Sequence, residues 1–573
     1  GPRTVVEELL CGLFADLLGR EQVGIDDDFF DLGGDSITSI RLVSRARAKG
    51  VVISAREVFR HKTVAELAAH ARQRQPRTAP PGARREKTET QPVSQAPTGA
   101  TVLPDPDGPV PLTPIIRWQR DRGGPVDGFH QYVLVRTPAN LALPRLREVL
   151  QSLLDRHDAL RMRLRRTPEW RLDILPRGAV TADERIVRVP VGGSGSGTGI
   201  GEADWERTVR VQADLARRRL APGTANMLQA VWFDAGPGRP GRLLLLINHL
   251  AVDGVSWRIL LQDLRSAWSE PDEPGEPSAP AAGPAGTAHT FMEWGSRLEK
   301  NALERTGELP FWKRVLEGAG ELIEGSAVLP GRDVLSTQAT VARVLPAART
   351  EALLTRLPAR LGTGANTVLL AALGLAVRGW RDAHFPQSTA PFLVDVEGHG
   401  REEIADDLDI SATVGWFTSM FPVLLDTRRH DPYDALRAVR EQLDAMPDKG
   451  LGYGLLRHLN PDTAPVLERL PRGQILFNYL GRFDRPDDTE WALASEAGAV
   501  GSGGDPDMPL THPLEVSAVA LQRTGGSELQ ITWAYASRLL ERHRVEDLAD
   551  RWLAALDRLA GHAVAAAEGG ATA

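Results

Sequence analysis

Residues 243–257 run Leu243-Leu244-Leu245-Leu246-Ile247-Asn248-His249-Leu250-Ala251-Val252-Asp253-Gly254-Val255-Ser256-Trp257. Leu243 to Ile247 form a continuous apolar run, the pattern of a strand buried on both faces. The run ends in a polar pair, Asn248-His249, and Asp253-Gly254 closes the stretch. Taken alone, a histidine after a strand reads as structural more often than catalytic. Asp253 reads as structural: a buried carboxylate needs a cationic partner, and Arg161 and Arg401 are the candidates.

A second strand leads into a second polar string. Pro391-Phe392-Leu393-Val394-Asp395-Val396 precedes Glu397-Gly398-His399-Gly400-Arg401-Glu402. The two-residue period of a strand puts Leu393, Asp395 and Glu397 on one face. An acid at a strand's end, followed by glycine, is well placed to face a cleft. His399 lies inside the glycine-rich turn and reads as part of it.

Low-complexity runs mark the breaks. Residues 76–108 are rich in Pro, Thr and Gln with almost no large apolar side chains, the composition of a flexible tether. Residues 270–288 interrupt the large part of the chain. The run 192–201 (GGSGSGTGIG) follows a strand-like segment, but no G-x-G-x-x-G register fits and no Lys-Ser/Thr follows, so it reads as a surface loop.

Ahead of the tether, Val5, Val6, Leu9, Leu10, Leu13, Phe14, Leu17 and Leu18 share one helical stripe that includes Cys11, a packing residue. Ser54 with Glu57, and Thr63 with Glu66, have capping-box spacing and open two further helices. Between the first helix and these two lies Asp28-Phe29-Phe30-Asp31-Leu32-Gly33-Gly34-Asp35-Ser36. The glycine pair forces a turn and a helix follows at once, so Ser36 sits at a helix N-terminus, where backbone N–H groups suit a phosphodiester.

Composition sets the bounds. At roughly 150 residues per domain, 573 residues suggest three or four compact units. A net charge of −7 argues against a nucleic-acid protein. A single cysteine excludes a disulfide scaffold and any cysteine-based zinc site. No metal is implied, because no H-x-x-x-H or H-E-x-x-H spacing occurs. With no signal peptide and no apolar run of membrane-spanning length, the chain reads as cytoplasmic, with no membrane and no nucleic acid among its partners.

These strings carry a resemblance. The Asp28–Ser36 string, over roughly residues 4–73, resembles the carrier-protein signature of nonribosomal peptide synthetases, in which this serine bears 4'-phosphopantetheine. The form G-G-D-S-I, ending in Ile37, resembles carriers that precede epimerization domains. Residues 248–254 resemble the H-H-x-x-x-D-G motif of the condensation superfamily, with Asn248 in place of the first histidine and the catalytic one mapping onto His249. Glu397–Glu402 resembles the hallmark of epimerization domains, whose catalytic glutamate maps onto Glu397. Val414-Gly415-Trp416-Phe417-Thr418, Gly450-Leu451-Gly452-Tyr453-Gly454 (the family's glycine-rich loop) and Phe477-Asn478-Tyr479-Leu480-Gly481 resemble further epimerization motifs, and Pro114, Trp118 and His157–Arg161 add earlier matches.

The resemblance implies a small all-α four-helix carrier domain (1–75), a linker (76–108) and an α/β epimerization domain. The latter is built of two chloramphenicol-acetyltransferase-like lobes, 109–285 and 286–573. The implied activity is epimerization at Cα of an aminoacyl or peptidyl thioester, L to D, during nonribosomal peptide synthesis. Glu397 would be the obligatory acid/base, and His249 the partner acid/base or the stabiliser of the enolate. Asn248, Asp253, Arg401, Asn478 and Tyr479 would support them, and Ser36 would carry the cofactor. The implied partners are the chain's own loaded carrier, a phosphopantetheinyl transferase, and the upstream adenylation and downstream condensation domains of a larger synthetase. Two other readings share part of the signal. A condensation domain would form an amide from two carrier-bound substrates, and an inactive domain would only recruit a tailoring enzyme.

Overall fold

The computed structural model describes residues 1–73, 108–191, 202–269, 289–384, 390–426, 431–483, 489–496 and 503–569, apart from positions 19, 35, 324, 326, 406, 407, 495 and 524. The tether through residue 107, the glycine run 192–201 and the stretch 270–288 lie outside the described residues. Two compact units are present, one in residues 1–73 and one from residue 108 onward, where length alone suggested three or four.

The first unit is a set of four helices: α1 (Val5–Leu18), α2 (Ser36–Ala48), α3 (Ala55–Arg60) and α4 (Val64–His70). Leu10, Leu13, Phe14, Phe29, Leu42, Val58 and Leu67 close its core, and Cys11 is buried among them. Of the expected stripe, Val5 alone turns out to water at 78% exposure. A two-residue antiparallel bridge, Val51–Val52 with Arg72–Gln73, is added to the helices. Ser54 and Glu57 form the full reciprocal capping box, whereas Thr63 caps one way, accepting from the Glu66 N–H. The turn before α2 depends on its glycines. Gly33 has φ 104°, and a Cβ on Gly34 would lie 2.4 Å from the Phe29 ring. α2 then begins at Ser36 with no acidic residue in its first turn.

The second unit has two lobes. The first carries a four-stranded sheet of β1 (His130–Arg136), β2 (Ile186–Pro190), β3 (Leu228–Asp234) and β4 (Arg242–Asn248), ordered β1-β4-β3-β2. β4 is the apolar run of the sequence, and Leu243–Asn248 is buried throughout, as a central strand must be. α5 (Pro114–Arg122), α6 (Leu143–Arg156) and α7 (Gly254–Ser269) accompany this sheet. The free edge of β1 is covered by a segment from the far end of the chain. Trp491 N–H donates to the Arg136 carbonyl, and Ala494 N–H to the Leu134 carbonyl. That contact removes an exposed sheet edge.

The second lobe carries β5 (Gln338–Leu345), β6 (Phe392–Gly398), β7 (Ser419–Leu425), β8 (Ile475–Phe483), β9 (Leu514–Arg523) and β10 (Gly526–Ala536), ordered β5-β10-β9-β8-β6-β7. β6, β8 and β9 are parallel neighbours, so the ends of β6 and β8 lie side by side. α9 (Ala365–His384), apolar around most of its surface, is buried against this sheet together with α11 (Arg542–Gly569). Between α7 and β5 lies α8 (Phe291–Glu304). Its Phe291, Trp294 and Leu298 join the first core, as do Val414, Trp416, Phe417 and Leu451. The lobes therefore share apolar packing, which is why they count as one unit.

One expectation is corrected. Gly450–Gly454 is not a loop: Gly450 (φ 92°) starts a helix, α10 (Leu451–His458), and the other two glycines lie inside it. The glycines serve close approach. A Cβ on Gly452 would meet the Glu308 carboxylate at 2.0 Å, and one on Gly450 would meet the Phe421 ring at 2.2 Å.

The separate cores give a calorimetric prediction. Leu10 is fully buried, so Leu10→Ala costs the small unit about 2–5 kcal/mol. Scanning calorimetry of the full chain should show its transition lowered and that of the large unit unmoved. A joint shift of both transitions would contradict the separation.

Candidate active site

His249 stands where β4 ends. A short 3-10 turn, His249–Ala251, separates it from Gly254, where α7 starts. Its backbone N–H donates to the Phe129 carbonyl at 2.9 Å. The imidazole is stacked on the Phe129 ring, with centroids 4.7 Å apart, and packs at 4.5 Å against Trp416. Nε2 meets the Gln131 side-chain amide nitrogen at 2.9 Å, and Gln131 Oε1 accepts from Trp257 Nε1 at 2.9 Å. Among the described residues, Nδ1 has no partner in hydrogen-bond geometry. Burial pushes the imidazole down to about 4, opposed by its own carbonyl, by Asp253 and by the Val252 carbonyl, and assisted by His130.

Asn248, at the position of the expected first histidine, faces away from this chemistry. It is fully buried, and its Nδ2 donates to the carbonyls of Val126 and Asp127 at 2.8 and 3.1 Å. Its Oδ1 accepts from the Leu250 N–H at 3.1 Å. The side chain caps the turn and holds the loop before β1 to it.

Glu397 sits near the end of β6, opposite Met420 on β7. The parallel register of β6 with β8 brings Asn478 alongside, and Asn478 Nδ2 donates to Glu397 Oε2. Burial first, and Glu515 on β9 second, push the Glu397 carboxyl up to about 7, while His512 and Asn478 pull the other way. Asp395, two residues back on the same face, meets His512 Nε2 at 2.9 Å. Tyr479, opposite Ala518 on β9, is partly buried against the second core. A cavity of about 90 Å³ opens beside Asp395, lined by Trp118, Trp294, Ser419, Tyr453 and Arg457 among others.

Asp253 and Arg401 join the two lobes. Of the two arginines expected as partners, Arg401 is the one: its Nη2 lies 3.3 Å from Asp253 Oδ1 and 3.1 Å from Ser256 Oγ. Arg161 instead donates to the carbonyls of Leu154, Asp155 and Leu175. Arg401 Nη1 is held by the carbonyls of Ile410 and Thr413, and the guanidinium lies over Phe417 at 3.8 Å. Asp253 also accepts from the N–H groups of Ser256 (2.7 Å) and Phe417 (3.1 Å). His399 accepts from the Arg401 N–H at 3.0 Å and lies 3.4 Å from Glu402, so it braces the turn. Gly400, φ 66°, is obligatory there, because a Cβ would stand 1.7 Å from the Phe417 carbonyl oxygen.

The segment 416–420 ties the two strand ends together: Trp416 packs on His249 and Met420 pairs across from Glu397. The site thus offers a buried neutral imidazole and a buried carboxyl of raised pKa, the divergence that separates base from acid. Gln131, Trp257, Phe129 and His512 were not foreseen. No motif marks Gln131, Phe129 or His512, and Trp257 closes the quoted stretch without a role assigned to it; the β1–β4 register, the start of α7 and the second-lobe sheet bring them in.

Comparison with known proteins follows the same division. A family model described as "Condensation domain" matches residues 230–568, and one described as "Phosphopantetheine attachment site" matches residues 8–71. The chain is 33% identical to the chondramide synthase cmdD of Chondromyces crocatus, over 98% of this chain and 13% of that protein. It is 32% identical to surfactin synthase subunit 1 of Bacillus subtilis (strain 168), over 98% of this chain and 14% of that protein. It therefore spans a small fraction of these relatives. The epimerization domain from the third module of tyrocidine synthetase B superposes with a TM-score of 0.67 at 27% identity, covering 80% of this chain and 98% of that one. The X-domain from teicoplanin biosynthesis shares the fold, with a TM-score of 0.53 at 18% identity, covering 82% of this chain and 96% of that one.

The Asp253–Arg401 pair yields a stability prediction. Arg401→Met leaves Asp253 buried without its cation and should cost about 3–5 kcal/mol, read as a lowered urea midpoint for the large unit. Adding Asp253→Asn should recover part of the loss. An unchanged midpoint in the single variant would refute the clamp.

Proposed function

The chain belongs to the condensation-domain family, with a phosphopantetheine-attachment domain ahead of that domain, and from this we propose that it epimerizes the Cα of an aminoacyl or peptidyl thioester carried on its own Ser36, converting L to D residues. Attachment domains of this kind take 4'-phosphopantetheine on a serine. The local structure fits the group: Ser36 opens a helix of 13 residues, after a glycine turn and with no acid in its first turn to repel a phosphate. The group, when bound, would supply the thiol that holds the substrate as a thioester, whose carbonyl makes the Cα proton removable. The proposed partners are the loaded carrier, a phosphopantetheinyl transferase, and adenylation and condensation domains of a larger synthetase.

The observation that carries the reading is that the short segment 416–420 touches both a buried imidazole of lowered pKa, His249, and a buried carboxyl of raised pKa, Glu397. Epimerization removes a proton from one face of Cα and returns one to the other. It needs an acid and a base that share one proton between them. Burial holds Glu397 near 7 and His249 near 4, so near neutral pH the carboxyl keeps a proton and the imidazole can take one. After one turnover the proton has moved from Glu397 to His249, and the reverse turnover restores it. A positioned acid or base of this kind contributes roughly 10²–10⁴-fold. Asn478 orients the Glu397 carboxyl, Trp416 and Phe129 wall the imidazole from water, and Asp253 with Arg401 fixes the loop that presents it. Placement of the lobe boundary near residue 285 belongs to the same proposal.

The test loads the carrier with an L-aminoacyl pantetheine in deuterated water and follows deuterium at Cα together with the D/L ratio. Exchange with a mixed ratio is expected. Amide formation without exchange would point to condensation, and no exchange would sink the reading. Glu397→Gln should lower exchange at least about 10²-fold. The pH profile follows from the shared proton. Both directions require the pair to hold one proton in total, so both show the same profile. The exchange rate should be lost as pH rises through about 7, where Glu397 deprotonates, and as it falls toward about 4, where His249 charges. A rate that climbs through pH 7 would instead make Glu397 a lone base.

A further inference from the structure

We propose that Gln131 is a positioning residue that fixes the tautomer of His249, holding its Nε2 as an acceptor and its proton on Nδ1. The strand register supplies the geometry. β1 and β4 are antiparallel with Gln131 directly opposite Ile247. His249 lies two residues beyond Ile247, on the same side, within reach of the Gln131 side chain. The amide of Gln131 is held between two rings. Its Oε1 lies 2.9 Å from Trp257 Nε1, and its Nε2 lies 2.9 Å from His249 Nε2.

The orientation of an amide is normally ambiguous, and here the chemistry removes the ambiguity. An indole N–H only donates, so the amide oxygen must face Trp257. The amide NH₂ must then face His249, and an NH₂ only donates. His249 Nε2 therefore presents its lone pair, and the proton of the neutral ring sits on Nδ1. Protonating Nε2 would set two N–H groups head-on in a buried site.

The catalytic consequence rests on the epimerase reading. A histidine that must accept a proton needs its Nε2 lone pair aimed and unprotonated before the substrate arrives. The chain Trp257–Gln131–His249 provides this. Trp257 is buried, so the amide cannot turn over without breaking a bond to a closed-in donor. When the substrate's Cα proton reaches His249 Nε2, the Gln131 N–H must give up its place on that lone pair, while the amide oxygen stays with Trp257.

The experiment reads the tautomer directly, with the full chain carrying ¹⁵N-labelled histidine. His249 signals are assigned by their loss in His249→Gln. At pH 7 the wild type should show an unprotonated Nε2 and a protonated Nδ1. Gln131→Glu places an acceptor against Nε2 and should shift the ring to Nε2–H or to the imidazolium. Trp257→Phe removes the donor that orients the amide and should give a mixture of tautomers, and it serves as a second variant if the first does not fold. In Cα exchange, Gln131→Glu should lower kcat about 10²-fold with KM unchanged. A protonated Nε2 in the wild type, or the wild-type tautomer retained in Gln131→Glu and Trp257→Phe, would overturn the proposal. Tautomers as expected in a chain that exchanges no Cα proton would support the role of Gln131 and sink the epimerase reading instead.

Discussion

The ion pair between Asp253 and Arg401 is the constraint on which the site depends. Each member stands four residues after the group it positions, Asp253 after His249 and Arg401 after Glu397. Four residues span at most about 14 Å, so the pair limits how far the imidazole and the carboxyl can stray from the lobe junction. Both side chains are almost wholly buried, which makes the arrangement all or nothing. A buried charge without its partner is costly, so the lobes cannot part at this point without exposing or orphaning both. Ser256 and the carbonyls of Ile410 and Thr413 take up further hydrogen-bonding directions, and Phe417 covers the guanidinium.

Burial also sets the chemistry. The same desolvation that lowers the imidazole raises the carboxyl, because each charged form loses water. One physical cause thus drives the two proton affinities in opposite directions. The lobes supply the effect by closing aromatic walls on one group and by setting the other beside Glu515.

What the sequence revealed followed how local each feature is. The buried strand before His249, the strand before Glu397, the helix at Ser36 and the Ser54–Glu57 box depend on neighbours within a few residues, and all were legible. The partner of Asp253 was narrowed to two arginines, and only the fold could choose, since Arg161 is consumed by carbonyls of its own lobe. Gln131 was invisible because its role comes from lying opposite Ile247, a register that no single strand encodes. The glycines of 450–454 looked like a loop because glycine disfavours helices. Two of them sit in a helix where neighbours crowd the backbone: Glu308 leaves no room for a Cβ at Gly452, and Pro114 would stand 3.2 Å from one at Gly454.

Asn248 shows how position decides what a residue type does. At the end of β4 its side chain turns back toward the sheet, while the next residue, His249, turns toward Gln131 and Trp416. The needs at position 248 are two donors for the Val126 and Asp127 carbonyls and one acceptor for the Leu250 N–H, and a carboxamide supplies all three. Those carbonyls belong to the loop that leads into Phe129 and Gln131, the two residues that stack on and hydrogen-bond to His249. Asn248 therefore acts on the imidazole through the loop it anchors. The side chain at position 248 thus faces the carbonyls of that loop and the Leu250 N–H rather than the His249 imidazole or the Glu397 carboxyl.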